Sequence, residues 1–153
     1  MTMAERPIWL AQETAKTGAR SLTLTRRAVG DAYYGVFHAI AALCAAKLLP
    51  GETLKTSPTY ERLYRAPEHS SLKSEFNKSP LRDYKKLREL GVIVTALQRE
   101  RHNADYMQTR RLYTLQSCNE HINSAKAATD LLDALNEEER KVLSVSLLFK
   151  NRS

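Results

Sequence analysis

A line of polar side chains crosses a strongly apolar stretch of the chain, at positions i, i+4, i+7 and i+11 of a helical repeat: Arg27, Asp31, Tyr34 and His38. These positions share one side of a helix. A solvated helix face usually carries Lys and Glu. An arginine fork, by contrast, binds two oxygens of a phosphate or carboxylate at once, and a histidine can move protons near neutral pH. We therefore expect this line to form the wall of a cleft.

Another arginine, Arg101, occupies a position where the sequence pattern calls for an apolar residue. The preceding apolar residues recur at steps of three and four, and the next step falls on this arginine: Leu87, Leu90, Val94 and Leu97. Burying an unpaired charge costs free energy, so Arg101 should have a partner or line a polar cavity. The alternative is that the helix ends here and that Arg101 reaches solvent or caps carbonyl groups.

The helical period of the apolar residues predicts an all-α fold, an antiparallel bundle of four to five helices. We expect helices over about 7–17 and 25–49, short helical pieces around 60–65 and 72–76, and further helices starting at Ser79-Pro80, at Asp105 and at Asn136. Ser79 and Pro80 have the residue types of a helix cap and a first helical position. Asp105 followed by Gln108 resembles a capping box.

The composition is that of one ordinary domain with its own core: 153 residues, 42% of them hydrophobic. The net charge of +7 favours a polyanionic partner such as RNA, DNA or an acidic protein. Cys44 and Cys118 lie on apolar helix faces and indicate core residues in a reducing cytoplasm, not a metal site. We expect no membrane span, because no continuous run of about 18 apolar residues occurs.

Two stretches together resemble the HEPN family of small α-helical domains: A-x-x-x-A-Y-Y-x-x-F-H over 28–38 and R-x-x-A-D-Y over 101–106. The resemblance covers the chain to about residue 136. It implies a single HEPN-like domain over 1–153, with a core at about 7–136 and an extra C-terminal helix over 137–153. It also implies a homodimer in which the two motifs face each other across the interface.

Many HEPN domains are metal-independent ribonucleases or toxins, often encoded beside a nucleotidyltransferase-like antitoxin. The resemblance therefore implies RNA as a ligand, no cofactor, and a toxin–antitoxin or defence role. The family signature is an Arg, a polar residue and then a His four to six residues after the Arg. Arg101 and His102 match its beginning, whereas Tyr106 stands where the histidine would fall.

One hypothesis is an RNA-cleaving dimer. In it Arg101 holds the phosphate, and His38 or His102 transfers protons, because cleavage without a metal needs a group with a pKa near ~7. The set expected to bind substrate or to form an interface network is Arg27, Asp31, Tyr34, Asp105 and Tyr106.

A second hypothesis is a non-catalytic binding or dimerisation module. The same polar set, with Arg101 and His38, would then fix the register of the dimer, and Asp31 would pair with Arg27 or Arg101. A third is that a nucleotidyltransferase partner modifies Tyr106, the tyrosine nearest the Arg motif.

Overall fold

Every element of secondary structure in the described residues is helical, so the all-α prediction is confirmed. The computed structural model describes residues 5–17, 22–51, 56–106 and 113–149. The seven α-helices in these ranges are α1 (Glu5–Thr17), α2 (Leu22–Leu48), α3 (Pro58–Tyr64), α4 (His69–Phe76), α5 (Lys85–Tyr106), α6 (Leu115–Asp133) and α7 (Glu137–Leu148). A 3-10 turn over Leu81–Asp83 precedes α5. The short helices α3 and α4 are the pieces predicted around 60–65 and 72–76.

The chain forms two compact units. Unit 1 comprises Met1–His38 and Ile93–Asp130, and unit 2 comprises Ala39–Val92 and Leu131–Ser153. The buried residues of unit 1 follow the predicted apolar faces and include Val29, Ala32, Tyr33, Val36, Val94, Leu97, Cys118 and Ile122. Those of unit 2 include Ile40, Cys44, Leu72, Phe76, Leu81, Leu87, Leu90, Leu143 and Leu147. Both cysteines are buried free thiols, as expected for core residues.

The sequence predicts that Ile8, Leu10, Ala11 and Ala15 face inward in the first helix and that Trp9 is a packing anchor. The inward face is confirmed for Ile8, Ala11 and Ala15 and is wrong for Leu10. Leu10 is 37% exposed, and Trp9, expected as a packing anchor, is 48% exposed. The reason is geometric, because each residue turns the helix by about 100°. Trp9 and Leu10 are therefore rotated away from the side on which Ile8 is buried.

The helix start predicted at Ser79-Pro80 is wrong. The hydroxyl of Ser79 donates a hydrogen bond to Oδ2 of Asp83 and therefore does not cap a helix. The chain instead makes the 3-10 turn, and Tyr84 then adopts extended backbone angles of φ −94° and ψ 127°. The continuous helix α5 begins only at Lys85.

The helix start predicted at Asp105 is also wrong, because α5 continues through Asp105 to Tyr106. The carboxylate of Asp105 accepts a hydrogen bond from the side chain of Arg101 and is not used as a cap. Gln108, the other half of the proposed capping box, lies outside the described residues. The idea that the helix ends at Arg101 is wrong for the same reason.

The start predicted for α7 is confirmed in detail. Asn136 and Glu139 form a reciprocal capping box, with Oδ1 of Asn136 2.8 Å from the Glu139 nitrogen and Oε2 of Glu139 2.9 Å from the Asn136 nitrogen. The guanidinium of Arg140 donates to backbone carbonyls at the end of α6 and in the turn after it, those of Leu132, Asp133 and Leu135. These bonds satisfy carbonyl groups that a helix end leaves without partners.

The segment Thr23–Leu48 of α2 is long and apolar enough to cross a membrane, judged by length and composition alone. Of its most apolar window, 67% is buried inside the protein. A core helix passes the same test, so the predicted absence of a membrane span stays a prediction.

A glycine of α5 sets the distance to α4 within unit 2. A Cβ added at Gly91 would lie 2.8 Å from Cβ of Phe76 and 3.0 Å from its ring. Cβ of Phe76 is fixed to the backbone, so it cannot move aside without a shift of the helix. A Cβ added at Gly30 of α2, in contrast, meets nothing within 4 Å.

We expect Gly91→Ala to lower the free energy of unfolding by about 1–2 kcal/mol, because overpacking outweighs the better helix propensity of alanine. The matched variant Gly30→Ala should instead raise it by up to about 1 kcal/mol, the intrinsic advantage of alanine in a helix. Thermal and urea unfolding of the two variants measure the difference. Equal stability of both would contradict the close contact.

Candidate functional site

Arg101 lies against two tyrosine rings of α2, within unit 1. Its Cζ is 5.3 Å from the ring centroid of Tyr34 and 5.8 Å from that of Tyr33. Both distances are in the range of cation–π attraction. The Arg101 side chain is only 18% exposed. The apolar position of the helix repeat is therefore filled by a guanidinium group that lies on aromatic rings.

Asp105 is the ion-pair partner of Arg101. Its Oδ2 accepts a hydrogen bond from Nε of Arg101 at 2.9 Å, one helical turn away. Burial by itself lowers the pKa of Arg101, but the bond to Asp105 and the phenols of Tyr34 and Tyr33 outweigh it, so the pKa is raised. The guanidinium is thus held as a cation. Arg101, Asp105, Tyr33 and Tyr34 are called the Arg101 cluster below.

Arg101 keeps hydrogen-bond donors that a ligand could use. Only Nε of Arg101 hydrogen-bonds to Asp105, and neither Nη nitrogen donates to any residue in the described part of the chain. An arginine held through one nitrogen is fixed in orientation, while its Nη groups can still bind a phosphate or carboxylate. The chemistry open to this arrangement is recognition of an anion.

Asp31, on the polar line, has a carboxylate whose hydrogen bonding is incomplete. Its Oδ2 is 3.7 Å from Nε of Arg27, which is too long for a hydrogen bond, and this buried oxygen has no hydrogen-bond partner. Burial raises the pKa of Asp31, and Arg27 only partly opposes this effect. Of the two partners left open for Asp31 by the sequence, Arg27 is the one that the structure pairs with it.

His38 is joined to the Arg101 cluster through Tyr34. The ring centroids of Tyr34 and His38 are 6.4 Å apart, and His38 is half-buried. This burial lowers the pKa of His38 from its ordinary 6.5, so the imidazole is mostly neutral at pH 7. Burial also raises the pKa of Tyr33 to about 12, which keeps its phenol neutral. A neutral imidazole has the chemistry of a proton acceptor.

His102 and Tyr106 form a separate exposed pair near the end of α5. Their ring centroids are 5.0 Å apart, and Tyr106 is 66% exposed. Neither residue makes a hydrogen bond, an ion pair or a ring contact with the polar line, so the described part of the chain keeps this outward pair apart from the half-buried residues of the predicted site. Among the described residues, no group of three or more His, Cys, Asp or Glu side chains could hold a metal ion.

Two contacts of the site were not predicted. The helical period of the apolar residues predicts Tyr33 only as a core residue. Tyr33 is fully buried, and its ring also contacts Arg101. Asp105 was expected as a helix cap and is instead the partner of Arg101. The i, i+4 spacing of Arg101 and Asp105 is a signal that could have identified this pair.

The charge of Asp31 should cost stability at neutral pH. Burial gives Asp31 a higher pKa in the folded protein than the ordinary 3.8. The contribution of this group to the stability of the fold is therefore fully present below the unfolded pKa, where the carboxyl group is protonated. It is lost as the pH rises through the folded pKa and the group ionises. We expect Asp31→Asn to raise the melting temperature at pH 7, with a gain that shrinks as pH falls toward 4. Exposed Asp130 in unit 1 provides the control variant Asp130→Asn, which should show no such trend. An Asp31→Asn protein that melts lower than wild type at pH 7 would contradict this account of Asp31.

Comparison with models of protein families, with curated proteins and with solved structures finds no match to this chain. The resemblance to HEPN domains therefore depends on the two sequence motifs. The geometry adds that Arg101 of one motif lies on the rings of Tyr33 and Tyr34 of the other.

Proposed function

We propose that this protein binds RNA through the Arg101 cluster and that it acts as a HEPN-like homodimer of the toxin–antitoxin or defence type. The observation that carries the proposal is the arginine fork: Arg101 is oriented by Asp105 and two tyrosine rings, and its Nη groups have no partner among the described residues. A phosphodiester offers the pair of oxygens that such a fork binds. The dimer and the biological role follow from the motif resemblance.

The overall charge supports an RNA ligand. The chain carries 24 Lys and Arg against 17 Asp and Glu. An excess of positive charge attracts a polyanion over long range and raises its association rate. A cationic fork in a neutral or acidic protein would favour a small carboxylate equally well, so the charge excess is what selects the phosphate backbone.

The same residues support cleavage of the bound strand without a metal. His38 accepts the proton of a ribose 2′-hydroxyl, the 2′-oxygen attacks phosphorus, and Arg101 stabilises the charge that develops on the phosphoryl oxygens. The 5′-oxygen leaves and takes up a proton, for which His102 or water is the donor. The products are a 2′,3′-cyclic phosphate and a 5′-hydroxyl.

Replacing Arg101 tests the proposal. We expect Arg101→Met to weaken binding of a short RNA by about 10- to 100-fold, the effect of losing charge-assisted hydrogen bonds. Methionine suits the apolar position, so the fold should be retained. Arg101→Lys should recover only part of the affinity, because lysine keeps the charge without the fork. Fluorescence anisotropy at two salt concentrations measures the affinities.

Arg99 gives the matched control for this experiment, because it lies on the same helix and its side chain is 73% exposed. Arg99→Ala removes one positive charge and should change the affinity by less than about threefold, as expected for a loss of long-range attraction alone. If Arg99→Ala and Arg101→Met weaken binding equally, only net charge matters and the site is not at Arg101. If wild type binds no RNA, the proposal is wrong.

A second candidate function is the non-catalytic dimerisation module that partners a nucleotidyltransferase-like protein. The unsatisfied Oδ2 of Asp31 favours it, because an acceptor of this kind suits a donor from a second copy of the chain. In this case Arg101→Met would lower the dimer fraction in light scattering, and wild type would bind RNA no better than Arg101→Met does.

The pH dependence of cleavage tests the role of His38. Because burial places the pKa of His38 below 6.5, its basic form is present at pH 7 and is lost only as pH falls through that lower pKa. We expect cleavage in the presence of a chelator to be close to its maximum between pH 7 and pH 8 and to fall as the pH drops through this lower pKa. His38→Gln should reduce the rate at least about 100-fold and leave RNA affinity unchanged. Unchanged cleavage by His38→Gln would remove His38 from the mechanism.

A further inference from the structure

A cavity of about 310 Å³ lies between the end of α2 and the start of α7, within unit 2. Three apolar and three charged residues line it: Leu43, Ala46, Pro50, Lys47, Glu137 and Arg140. Its volume is at the small end of the range of ligand pockets, about 300–1,000 Å³. It equals the volume of about ten water molecules at ~30 Å³ each, so a ligand of about ten non-hydrogen atoms fits. The cavity contains none of the residues of the Arg101 cluster.

Two cations that line the cavity keep hydrogen-bond donors that a ligand can use. Among the described residues, the ammonium group of Lys47 bonds only to Glu137. Arg140 donates through Nε and Nη2 to backbone carbonyls, and its Nη1 donates to no residue in the described part of the chain. The carbonyl bonds hold the guanidinium in one orientation, which reduces the entropy lost when an anion binds it. The cavity therefore has the donors of an anion site.

Glu137 is a partner of Lys47 that the carboxylate of a ligand can replace. The side chain of Glu137 is 82% exposed, whereas that of Lys47 is 28% exposed. The hydrogen bond from Lys47 lowers the pKa of Glu137, so Glu137 is a charged carboxylate at neutral pH. An ion pair with so exposed an anion contributes little free energy, because water hydrates the released carboxylate well. Exchange of Glu137 for another carboxylate at Lys47 therefore costs little.

The charges and the apolar residues of the lining together define the ligand. Lys47 and Arg140 carry two positive charges and Glu137 one negative charge, so one further negative charge neutralises the site. A carboxylate supplies one charge, whereas a phosphate monoester carries nearly two at neutral pH. The three apolar residues of the lining favour a ligand whose remaining surface is apolar, because contact with them removes that surface from water.

We propose that this cavity binds a small monocarboxylate with an apolar body, and that the carboxylate of the ligand takes the place of Glu137 at Lys47. The apolar body lies against Leu43, Ala46 and Pro50. This inference goes beyond the proposed RNA binding and does not depend on it, because the two sites share no residue.

The test uses the whole protein, labelled with ¹⁵N, and phenylpropionate as the probe. We expect saturable shifts of the amide signals over 46–49 and 137–140, with a Kd of about 1 mM. Acetate lacks the apolar body, and phenylpropylamine carries a positive charge, so each should bind at least about tenfold more weakly. Tighter binding of phenyl phosphate than of phenylpropionate would overturn the monocarboxylate as the ligand class.

Variants of the charged residues test the position of the carboxylate. Lys47→Met should weaken binding of the probe at least about tenfold, the loss for a charge-assisted hydrogen bond. Glu137→Gln should strengthen it about two- to fivefold, because the competing carboxylate is removed. Glu138→Gln is the matched control, since it removes the same charge from the same helical turn outside the lining of the cavity. It should change the affinity by less than about 1.5-fold.

Separate outcomes would overturn the inference. If Lys47→Met keeps its amide spectrum outside the two ranges and binds the probe like wild type, the carboxylate is not at Lys47. If Glu137→Gln and Glu138→Gln strengthen binding equally, net charge alone explains the gain and the exchange at Lys47 is wrong. If wild type shows no saturable shifts over 46–49 and 137–140, the cavity is not a site for this class of ligand, and the proposed RNA binding is unaffected.

Discussion

A single positive charge in an apolar position constrains the whole candidate site. The apolar repeat of α5 predicts an apolar residue at position 101. The chain instead has an arginine there, and 18% of its side chain is exposed. A charge so poorly hydrated needs compensation. Asp105 supplies an anion and Tyr33 and Tyr34 supply ring faces. The helix must therefore continue beyond Arg101, and both tyrosines of the A-Y-Y motif must face it.

Much of the fold could be predicted because the apolar residues of a long helix recur with the helical period of 3.6 residues. The sequence predicts a long helix over about 25–49 and a helix that starts at Asn136, and the structure has α2 and α7 there, with apolar residues of both buried. The two wrong helix starts have the same cause, because in each case another side chain binds the polar group that was expected to cap the helix. The hydroxyl of Ser79 bonds to Asp83 and the carboxylate of Asp105 bonds to Arg101, so neither is used as a helix cap. A single sequence shows what a polar group can do and not which partner it takes.

The site was predictable to a similar degree. The sequence indicated that Arg101 needs a partner and that Asp31 pairs with Arg27 or Arg101, but it could not rank these partners. Arg27 with Asp31 and Arg101 with Asp105 have the same i, i+4 spacing within one helix, so the spacing could not show that only the second pair comes within hydrogen-bond distance: Oδ2 of Asp31 is 3.7 Å from Nε of Arg27, and Oδ2 of Asp105 is 2.9 Å from Nε of Arg101. The separation of His102 and Tyr106 from the half-buried group also depends on helix rotation, once α5 is known to be continuous.

The most direct measurement of the central contact is NMR of the arginine side chains, labelled with ¹⁵N. If Arg101 lies on the Tyr34 ring and donates to Asp105, its Hε signal is protected from water exchange, shifted upfield by the ring current, and close to the Tyr34 ring protons in a nuclear Overhauser experiment. The upfield shift disappears in Tyr34→Leu. An Arg101 Hε signal that exchanges freely with water, with no contact to Tyr34, would contradict the account.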